Sequence, residues 1–108
     1  MDLGLNGRIA VVVGGSKGIG KGAARALAAE GCALFLLARD AAGLDATARE
    51  IAAEFGVPVT PIACDVADAA SVRRAAAEVA AAAPRINILV TSVGTAIRRQ
   101  DRTITWDD

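Results

Sequence analysis

The sequence lacks two side chains on which many enzymes depend for proton transfer, because its 108 residues include no histidine and no tyrosine. Without histidine there can be no histidine-based triad, no histidine general base and no histidine metal ligand. A mechanism that needs a phenolic acid must take it from elsewhere. We therefore assign no catalytic residue and no metal site to this chain.

Cysteine is also scarce, with only Cys32 and Cys64 present. Two cysteines are too few for a disulfide scaffold at this length. The strands predicted below place Cys32 at the start of one strand and Cys64 at the end of its parallel neighbour. They would then lie about a strand length apart, beyond the reach of a disulfide. We expect two small apolar side chains in a reducing compartment, and hence a cytoplasmic location.

Neither sign of charge is in excess, since 12 lysines and arginines balance 12 aspartates and glutamates. A neutral chain without a basic stripe is not expected to bind nucleic acid or an anionic membrane. No signal peptide is expected at the N-terminus, and no run approaches the roughly 18 apolar residues of a membrane span. Hydrophobic residues make up 54% of the sequence, enough for a buried core, so we predict one domain over residues 1–108.

Apolar runs alternate along the chain with segments of helical periodicity, and glycine, proline and aspartate separate them. In the third helix the predicted buried stripe consists of Val72, Ala76, Val79 and Ala83. The predicted elements are a strand over 8–13, a helix over 18–30, a strand over 33–38, a helix from the cap Asp40 to Gly56, a strand over 59–63, a helix from Asp68 to Pro84 and a strand over 86–90.

This alternation predicts an α/β fold, a Rossmann-type doubly wound parallel sheet with strand order 3-2-1-4. Pro58 and Pro61 favour an edge position for the third strand. Thr105 followed by Asp108 is close to a capping box, so we expect a further helix to begin there and the domain to be incomplete; a frayed polar terminus is the alternative. The expected ligand site is the crevice outside the carboxyl ends of strands 1 and 4.

A glycine-rich turn joins the first strand to the first helix. Gly14 permits a sharp exit from the strand, Gly18 allows the backbone to approach a pyrophosphate, and Gly20 lets the helix sit close to the sheet. The helix N-terminus then faces the phosphates. The alternative is a purely structural turn. The predicted phosphate-binding residues are Gly14, Ser16, Lys17, Gly18, Ile19 and Gly20.

A nucleoside-triphosphate loop is a competing interpretation of this turn, because Gly15, Gly20 and Lys21 fit the spacing G-x-x-x-x-G-K. That loop requires Ser or Thr next, to bind Mg²⁺, whereas this chain has Gly22. Asp65 can pass for the second acidic ligand, but the metal would lack its other protein ligand. We therefore favour a dinucleotide.

The end of the second strand favours NADP(H). An NAD site places an acidic residue there, but Ala38 is followed by Arg39, whose guanidinium suits a 2′-phosphate. Lys17 can reach the same phosphate. The alternative is that both are solvated charges, with Arg39 paired to Asp40; we expect Asp40 to cap the second helix.

Two further turns at the same edge are candidate cofactor contacts. Asp65 and Val66 follow the third strand, and the Asp65 carboxylate can accept a hydrogen bond from an adenine amino group; capping of its own loop is the alternative. Thr91, Ser92 and Gly94 follow the fourth strand, where the hydroxyls can donate to a ribose and the glycine allows close approach. An ordinary strand-end turn is the alternative there.

These residues resemble the short-chain dehydrogenase/reductase family, and in particular its 3-oxoacyl-carrier-protein reductases. The resemblance runs from LNGRIAVVVGGSKGIGKGAARALAAEG, through LLARD, CDVAD and INILVTSVGTA, to TWDD. The glycine motif T-G-x-x-x-G-x-G is present from Val13 to Gly20, with valine in place of threonine. The family's N-N-A-G appears as Thr91-Ser92-Val93-Gly94, which keeps only the glycine.

The resemblance implies an NADP(H)-dependent oxidoreductase that transfers hydride between the nicotinamide and a carbonyl or alcohol substrate. The family's catalytic Ser, Tyr, Lys and Asn have no matching positions here, so the chain is expected to supply the cofactor-binding half and to be inactive alone. The alternative is a non-catalytic dinucleotide-binding module or a degenerate paralogue. Substrate and reaction direction cannot be predicted from these residues. We also expect a homo-oligomer, or pairing through an exposed edge of strand 4.

Overall fold

A computed structural model describes residues 6–14, 18–83 and 85–91, and in these residues a parallel sheet is flanked by helices on both faces. The elements are β1 (Ile9–Val13), α1 (Gly18–Ala29), β2 (Ala33–Ala38), α2 (Ala41–Phe55), β3 (Val59–Ala63), α3 (Ala69–Ala82) and β4 (Ile88–Thr91).

The strands are ordered β3-β2-β1-β4, which confirms the predicted fold class and order. All three pairings are parallel, with Val13 opposite both Leu37 and Thr91, and Ala38 opposite Ala63. The strand that contains Pro61 lies at one edge of the described sheet, as predicted, where a missing N–H breaks no central ladder. The shared register brings the carboxyl ends of all four described strands to one edge.

The central strands are buried on both faces, because alternate side chains enter two separate core clusters. Val12 and Leu36, both fully buried, face α1 and α2, whereas Val11 and Phe35 face α3. The cysteines follow the same division: Cys32 belongs to the first cluster and Cys64 to the second. Both cysteines are buried, and no disulfide joins them.

The helix ends follow the capping residues of the sequence. Asp40 caps α2 by accepting a hydrogen bond from the Gly43 N–H at 3.2 Å, and Gly56 ends this helix in the left-handed conformation. Asp68 caps α3 by accepting from the Ala70 N–H at 3.0 Å. All three positions agree with the predicted boundaries, so local side-chain chemistry sets the lengths of α2 and α3.

The predicted buried stripe of α3 is wrong at two positions. The helix buries Ser71, Ala75 and Val79, whereas Val72 is 40% exposed and Ala76 is exposed. The stripe begins one residue earlier than apolar periodicity predicts, because the serine hydroxyl has a hydrogen-bond partner that allows it to be buried.

The fourth strand begins at Ile88, not at residue 86, and it includes Thr91. Ahead of it, the Asn87 side chain accepts the Ile9 N–H at 3.0 Å while the Asn87 N–H donates to the Ile9 carbonyl at 2.9 Å. Ile86 is 46% exposed. The first strand begins at Ile9, one residue later than predicted. The first helix ends at Ala29, one residue earlier than predicted.

β4 is the outer strand of the described sheet on its side, and its Leu89 is 52% exposed. Pairing of another chain with this edge stays a prediction. Within the described residues, none of the helices combines the length and apolar character required to cross a bilayer.

Candidate functional site

The candidate site is the sheet edge at which the carboxyl ends of the strands meet. Gly14 follows β1, Arg39 follows β2 and Asp65 lies two residues beyond β3. Because neighbouring strands are about 5 Å apart, Arg39 is displaced sideways from Gly14 by about 5 Å and Asp65 by about 10 Å. One extended ligand can therefore contact all three positions.

Gly14 and Gly18, the described residues on either side of the glycine turn, both have positive φ angles. Gly14 has φ +85° and donates its N–H to the Leu37 carbonyl at 2.6 Å, which fixes the exit of the chain from β1. Gly18, the first residue of α1, has φ +59°, and a Cβ built on it meets nothing within 4 Å. The backbone here is thus uncovered, and it lies at a helix N-terminus, where N–H groups and the helix dipole favour an anion.

The other turn residues are only partly described. Gly20 is buried, as expected of a position where α1 approaches the sheet closely. The backbone of Ile19 belongs to α1, but its side chain is outside the described part. Ser16 and Lys17 also lie outside the described residues, so their predicted roles stay predictions.

Arg39 is exposed between β2 and α2, as the 2′-phosphate prediction requires. Its neighbour Asp40 is engaged elsewhere: Oδ1 accepts the Gly43 N–H, and the Asp40 carbonyl accepts the Leu44 N–H at 2.9 Å. Gly43 is needed for this cap, because a Cβ there would lie 2.6 Å from Asp40 Oδ2. Among the described residues no carboxylate forms an ion pair with Arg39. The alternative of an Arg39–Asp40 pair is thus not observed.

A group of ion pairs ties together the two helices whose N-termini border the site. Arg25 of α1 lies 2.7 Å from Glu54 and 3.5 Å from Glu50 of α2, and Lys21 lies 3.4 Å from Glu50. The Arg25 guanidinium also lies 5.3 Å from the centre of the Phe55 ring. The hydrogen bond that Arg25 donates to Glu54 raises the pKa of Arg25, a side chain that is always charged in proteins. These contacts fix α1 relative to α2.

Asp65 and Val66 occupy the third position along the edge. Asp65 is partly buried, and its Oδ1 accepts the Ala67 N–H at 3.0 Å, so the loop-capping alternative is observed. A carboxylate has about four acceptor positions, so capping leaves capacity for an adenine amino group. Val66 is 40% exposed at this edge, where an apolar side chain can contact a flat ring.

The sequence analysis missed Ser71, whose hydroxyl accepts the Asp65 N–H at 2.9 Å. The available signal was a serine three residues after the cap Asp68, a position from which a side chain reaches back to the preceding loop. Periodicity alone excluded it, because serine was not counted as a buried residue.

The last predicted group is described only at Thr91, which ends β4, is exposed and pairs with Val13. Ser92 and Gly94 lie outside the described residues. Within the described part, no three His, Cys, Asp or Glu side chains gather as a metal site would require.

Comparison with known proteins decides the family. The model of the family described as short chain dehydrogenase matches residues 8–108. The chain belongs to the short-chain dehydrogenase family. The resemblance to this family is thereby confirmed.

Curated short-chain dehydrogenases support this assignment. The chain is 43% identical over 95 residues to D-threitol dehydrogenase of Mycolicibacterium smegmatis, covering 88% of this chain and 36% of that protein. It is 38% identical over 91 residues to the rhamnolipids biosynthesis 3-oxoacyl-[acyl-carrier-protein] reductase of Pseudomonas aeruginosa, covering 84% of this chain and 35% of that protein. The chain thus spans about a third of the length of these relatives.

A solved short-chain dehydrogenase structure has the same fold. L-Sorbose reductase from Gluconobacter frateurii, complexed with NADPH and L-sorbose, matches with a TM-score of 0.84 and 38% identity, covering 88% of this chain and 36% of that one. The likeness extends over nearly all of this short-chain dehydrogenase sequence.

Proposed function

We propose that the chain forms the NADP(H)-binding part of a short-chain oxidoreductase that interconverts a carbonyl and an alcohol. One observation carries the choice of NADP(H): Arg39 follows β2, is exposed, and has no ion-pair partner among the described residues. A guanidinium in this position grips a phosphate bidentately, whereas NAD sites have an acidic residue there that binds the ribose 2′-hydroxyl. The NADPH complex of L-sorbose reductase supports the same choice.

Each predicted contact then has a defined task. The N–H groups at the start of α1, beside Gly14 and Gly18, bind the pyrophosphate, and Ser16 adds a donor to it. Arg39 binds the 2′-phosphate, together with Lys17. Asp65 accepts a hydrogen bond from the adenine amino group.

The remaining predicted contacts surround the same ligand. Val66 packs on the adenine ring, Thr91 and Ser92 donate to a ribose, and Gly94 allows the backbone to approach it. Ile19 lies in the first turn of α1, beside the phosphates. The nicotinamide supplies the hydride when bound. The chain's own part is to bind and orient the dinucleotide.

The chain by itself should bind the cofactor without reducing a carbonyl. Carbonyl reduction requires a proton donor beside the hydride acceptor, and the sequence contains neither histidine nor tyrosine. Release of NADP⁺ from NADPH and a carbonyl substrate, at a rate above that of the Arg39→Gln variant, would contradict this expectation.

Calorimetric titration with NADPH and NADH tests the cofactor assignment. We expect NADPH to bind at least tenfold more tightly than NADH, a difference of about 1.4 kcal/mol. Because a hydrogen bond to a charged group is worth about 1.5–3 kcal/mol, Arg39→Gln should weaken NADPH binding by roughly 10- to 150-fold and leave NADH nearly unchanged.

Arg49→Gln is the matched control. Arg49 is on the same helix as the Asp40 cap, its side chain is 81% exposed, and its partner is Asp45, at 3.1 Å. Arg49→Gln removes the same charge as Arg39→Gln, but at a position away from the strand ends. If both variants weaken NADPH equally, the effect is one of overall charge and the proposed role of Arg39 is wrong. Absence of NADPH binding by the folded wild-type chain would reject the proposed function.

A further inference from the structure

Ser71 is a buried polar residue that no step of the proposed function uses. It lies in the first turn of α3 and is 5% exposed, a degree of burial that Thr47 alone shares among the polar residues of the described part. Burying a hydroxyl is unfavourable unless it is hydrogen-bonded. The contacts of Ser71 therefore indicate why the position is polar.

Those contacts hold the chain at the end of β3. The Ser71 hydroxyl accepts the Asp65 N–H at 2.9 Å, and the Ser71 carbonyl lies 4.0 Å from the Cys64 thiol, which donates to it. The loop beyond is closed on itself, because Asp65 Oδ1 accepts the Ala67 N–H and the Asp65 carbonyl accepts the Asp68 N–H, both at 3.0 Å. Ser71 thus ties a self-contained turn to the helix behind it.

The direction of the Asp65 carboxylate depends on this tie. Its Oδ1 is fixed by the Ala67 N–H inside the turn, and the turn is fixed by Ser71 through the Asp65 N–H. If the Ser71 hydroxyl is removed, the turn keeps its internal bonds and stays joined to α3 through the Asp68 cap, but the Asp65 N–H loses the bond that holds it against the helix. The Asp65 carboxylate and the exposed Val66 are then held less tightly.

We propose that Ser71 is a positioning residue, which aims Asp65 at the amino group of the cofactor's adenine and so makes binding selective for that base. The proposal rests on the proposed function, because it takes the dinucleotide to lie along the strand ends. Ser71 itself touches no ligand. Its effect must pass through Asp65.

The hypoxanthine analogue of NADPH is a probe for this effect, because it replaces the adenine amino donor with an oxygen that a carboxylate repels. The wild-type chain should bind NADPH about tenfold more tightly than this analogue, from the loss of one charge-assisted hydrogen bond. Ser71→Ala should reduce the ratio of the affinity for NADPH to the affinity for the analogue to about threefold or less. Ser71→Thr, which keeps the hydroxyl, should retain the wild-type ratio.

Further variants separate positioning from stability. In the Asp65→Ala background the ratio should be near one, and adding Ser71→Ala should not change it further. Thr47→Val removes a hydroxyl of equal burial from α2, so it should lower stability and leave the ratio at about tenfold. If Ser71→Ala does not fold, Ser71→Cys, with a similar volume and a weak acceptor, should show the reduced ratio.

The outcomes distinguish this proposal from the one on which it rests. If the folded wild-type chain binds neither nucleotide, the proposed function is wrong and this inference with it. The second case is that the wild-type chain binds NADPH, Arg39→Gln weakens this binding, and Ser71→Ala or Ser71→Cys still binds NADPH tenfold more tightly than the analogue. The proposed function then stands and the positioning role is overturned. Equal loss of the ratio in Thr47→Val would also overturn it.

Discussion

Gly31, the residue that ends the first helix, is the position where a single methyl group should have the clearest effect on stability. It has φ +91° and lies in a Schellman turn, in which the Cys32 N–H donates to the Leu27 carbonyl at 3.1 Å and the Gly31 N–H to the Ala28 carbonyl at 2.9 Å. An L-residue pays about 1–2 kcal/mol for a left-handed conformation. Gly31→Ala should therefore be destabilising on backbone grounds alone.

A second cost in stability comes from the segment of the same chain that lies beside Gly31. A Cβ on Gly31 would overlap the Asn6 side-chain oxygen and lie 3.1 Å from the Asn6 Cα. The side chain can turn away, but the backbone must also shift, and this backbone carries the Gly7 N–H that donates to the Gly31 carbonyl at 3.0 Å. Weakening that bond costs up to about 1.5 kcal/mol. The two effects together give about 1–3.5 kcal/mol.

The same substitution at two other glycines separates these effects. Gly56 has φ +68° and nothing within 4 Å of a built Cβ, so Gly56→Ala should cost only the conformational 1–2 kcal/mol or so. Gly22 lies inside α1 with nothing within 4 Å, so Gly22→Ala should stabilise the chain by about 0.5–1 kcal/mol.

Urea unfolding of the chain, followed by circular dichroism, measures the series. We expect stability to fall in the order Gly22→Ala, wild type, Gly56→Ala, Gly31→Ala. The reasoning would be refuted if Gly31→Ala were no less stable than Gly56→Ala, because the contact with Asn6 would then contribute nothing. A destabilising Gly22→Ala would equally contradict the described geometry of α1.

Three further predictions concern the caps, the ion pairs and the buried thiol. Asp40→Ala should destabilise the chain by about 0.5–2 kcal/mol in urea unfolding, whereas Asp40→Asn, which also caps, should be nearly neutral. Arg25→Gln should lower the melting temperature at low salt more than Arg49→Gln does, because Arg25 has two glutamate partners and an aromatic contact, and the difference should shrink at about 1 M salt; an unchanged difference would exclude an electrostatic origin. Burial, and then the charge of Glu30, raises the pKa of the Cys32 thiol above its unfolded value, so its contribution to stability is present below the unfolded pKa and is lost as the pH rises through the folded one. Stability should therefore fall above about pH 9, with a shallower fall in Cys32→Ala; equal slopes would contradict this.

The strands were predictable because their signals are local and redundant. β2 and β3 have the predicted bounds, since each is an apolar run bordered by glycine, proline or a polar turn. α2 is fixed at both ends, by Asp40 and Gly56, and the right-handed crossover then determines the order of the strands. Nothing beyond the chain's own pattern was needed for this part of the fold.

Apolar periodicity did not predict the register of α3, because this register depends on a hydrogen bond between residues in different elements. Apolar periodicity selects Val72 over Ser71, whereas the structure buries the serine and exposes the valine. The bond to the Asp65 N–H reverses the preference, and no sequence rule shows that this N–H points towards the helix. The same contact is the part of the candidate site that the sequence analysis missed.

Arg39 and Asp65 illustrate how a neighbour sets what a charged residue can do. The sequence left open whether Arg39 pairs with Asp40 and whether Asp65 caps its own loop. Asp40 is committed to the N-terminus of α2, and Arg39 has no ion-pair partner in the part of the chain that the structure describes. An unpaired guanidinium at a strand end is what a phosphate requires. Asp65 does cap its loop, but one oxygen is enough for that bond, and Ser71 fixes the direction in which the carboxylate as a whole points. In both cases a backbone hydrogen bond made by a neighbouring residue prepares the charge for a ligand. Removal of the Ser71 hydroxyl should therefore alter binding although Ser71 itself contacts no ligand.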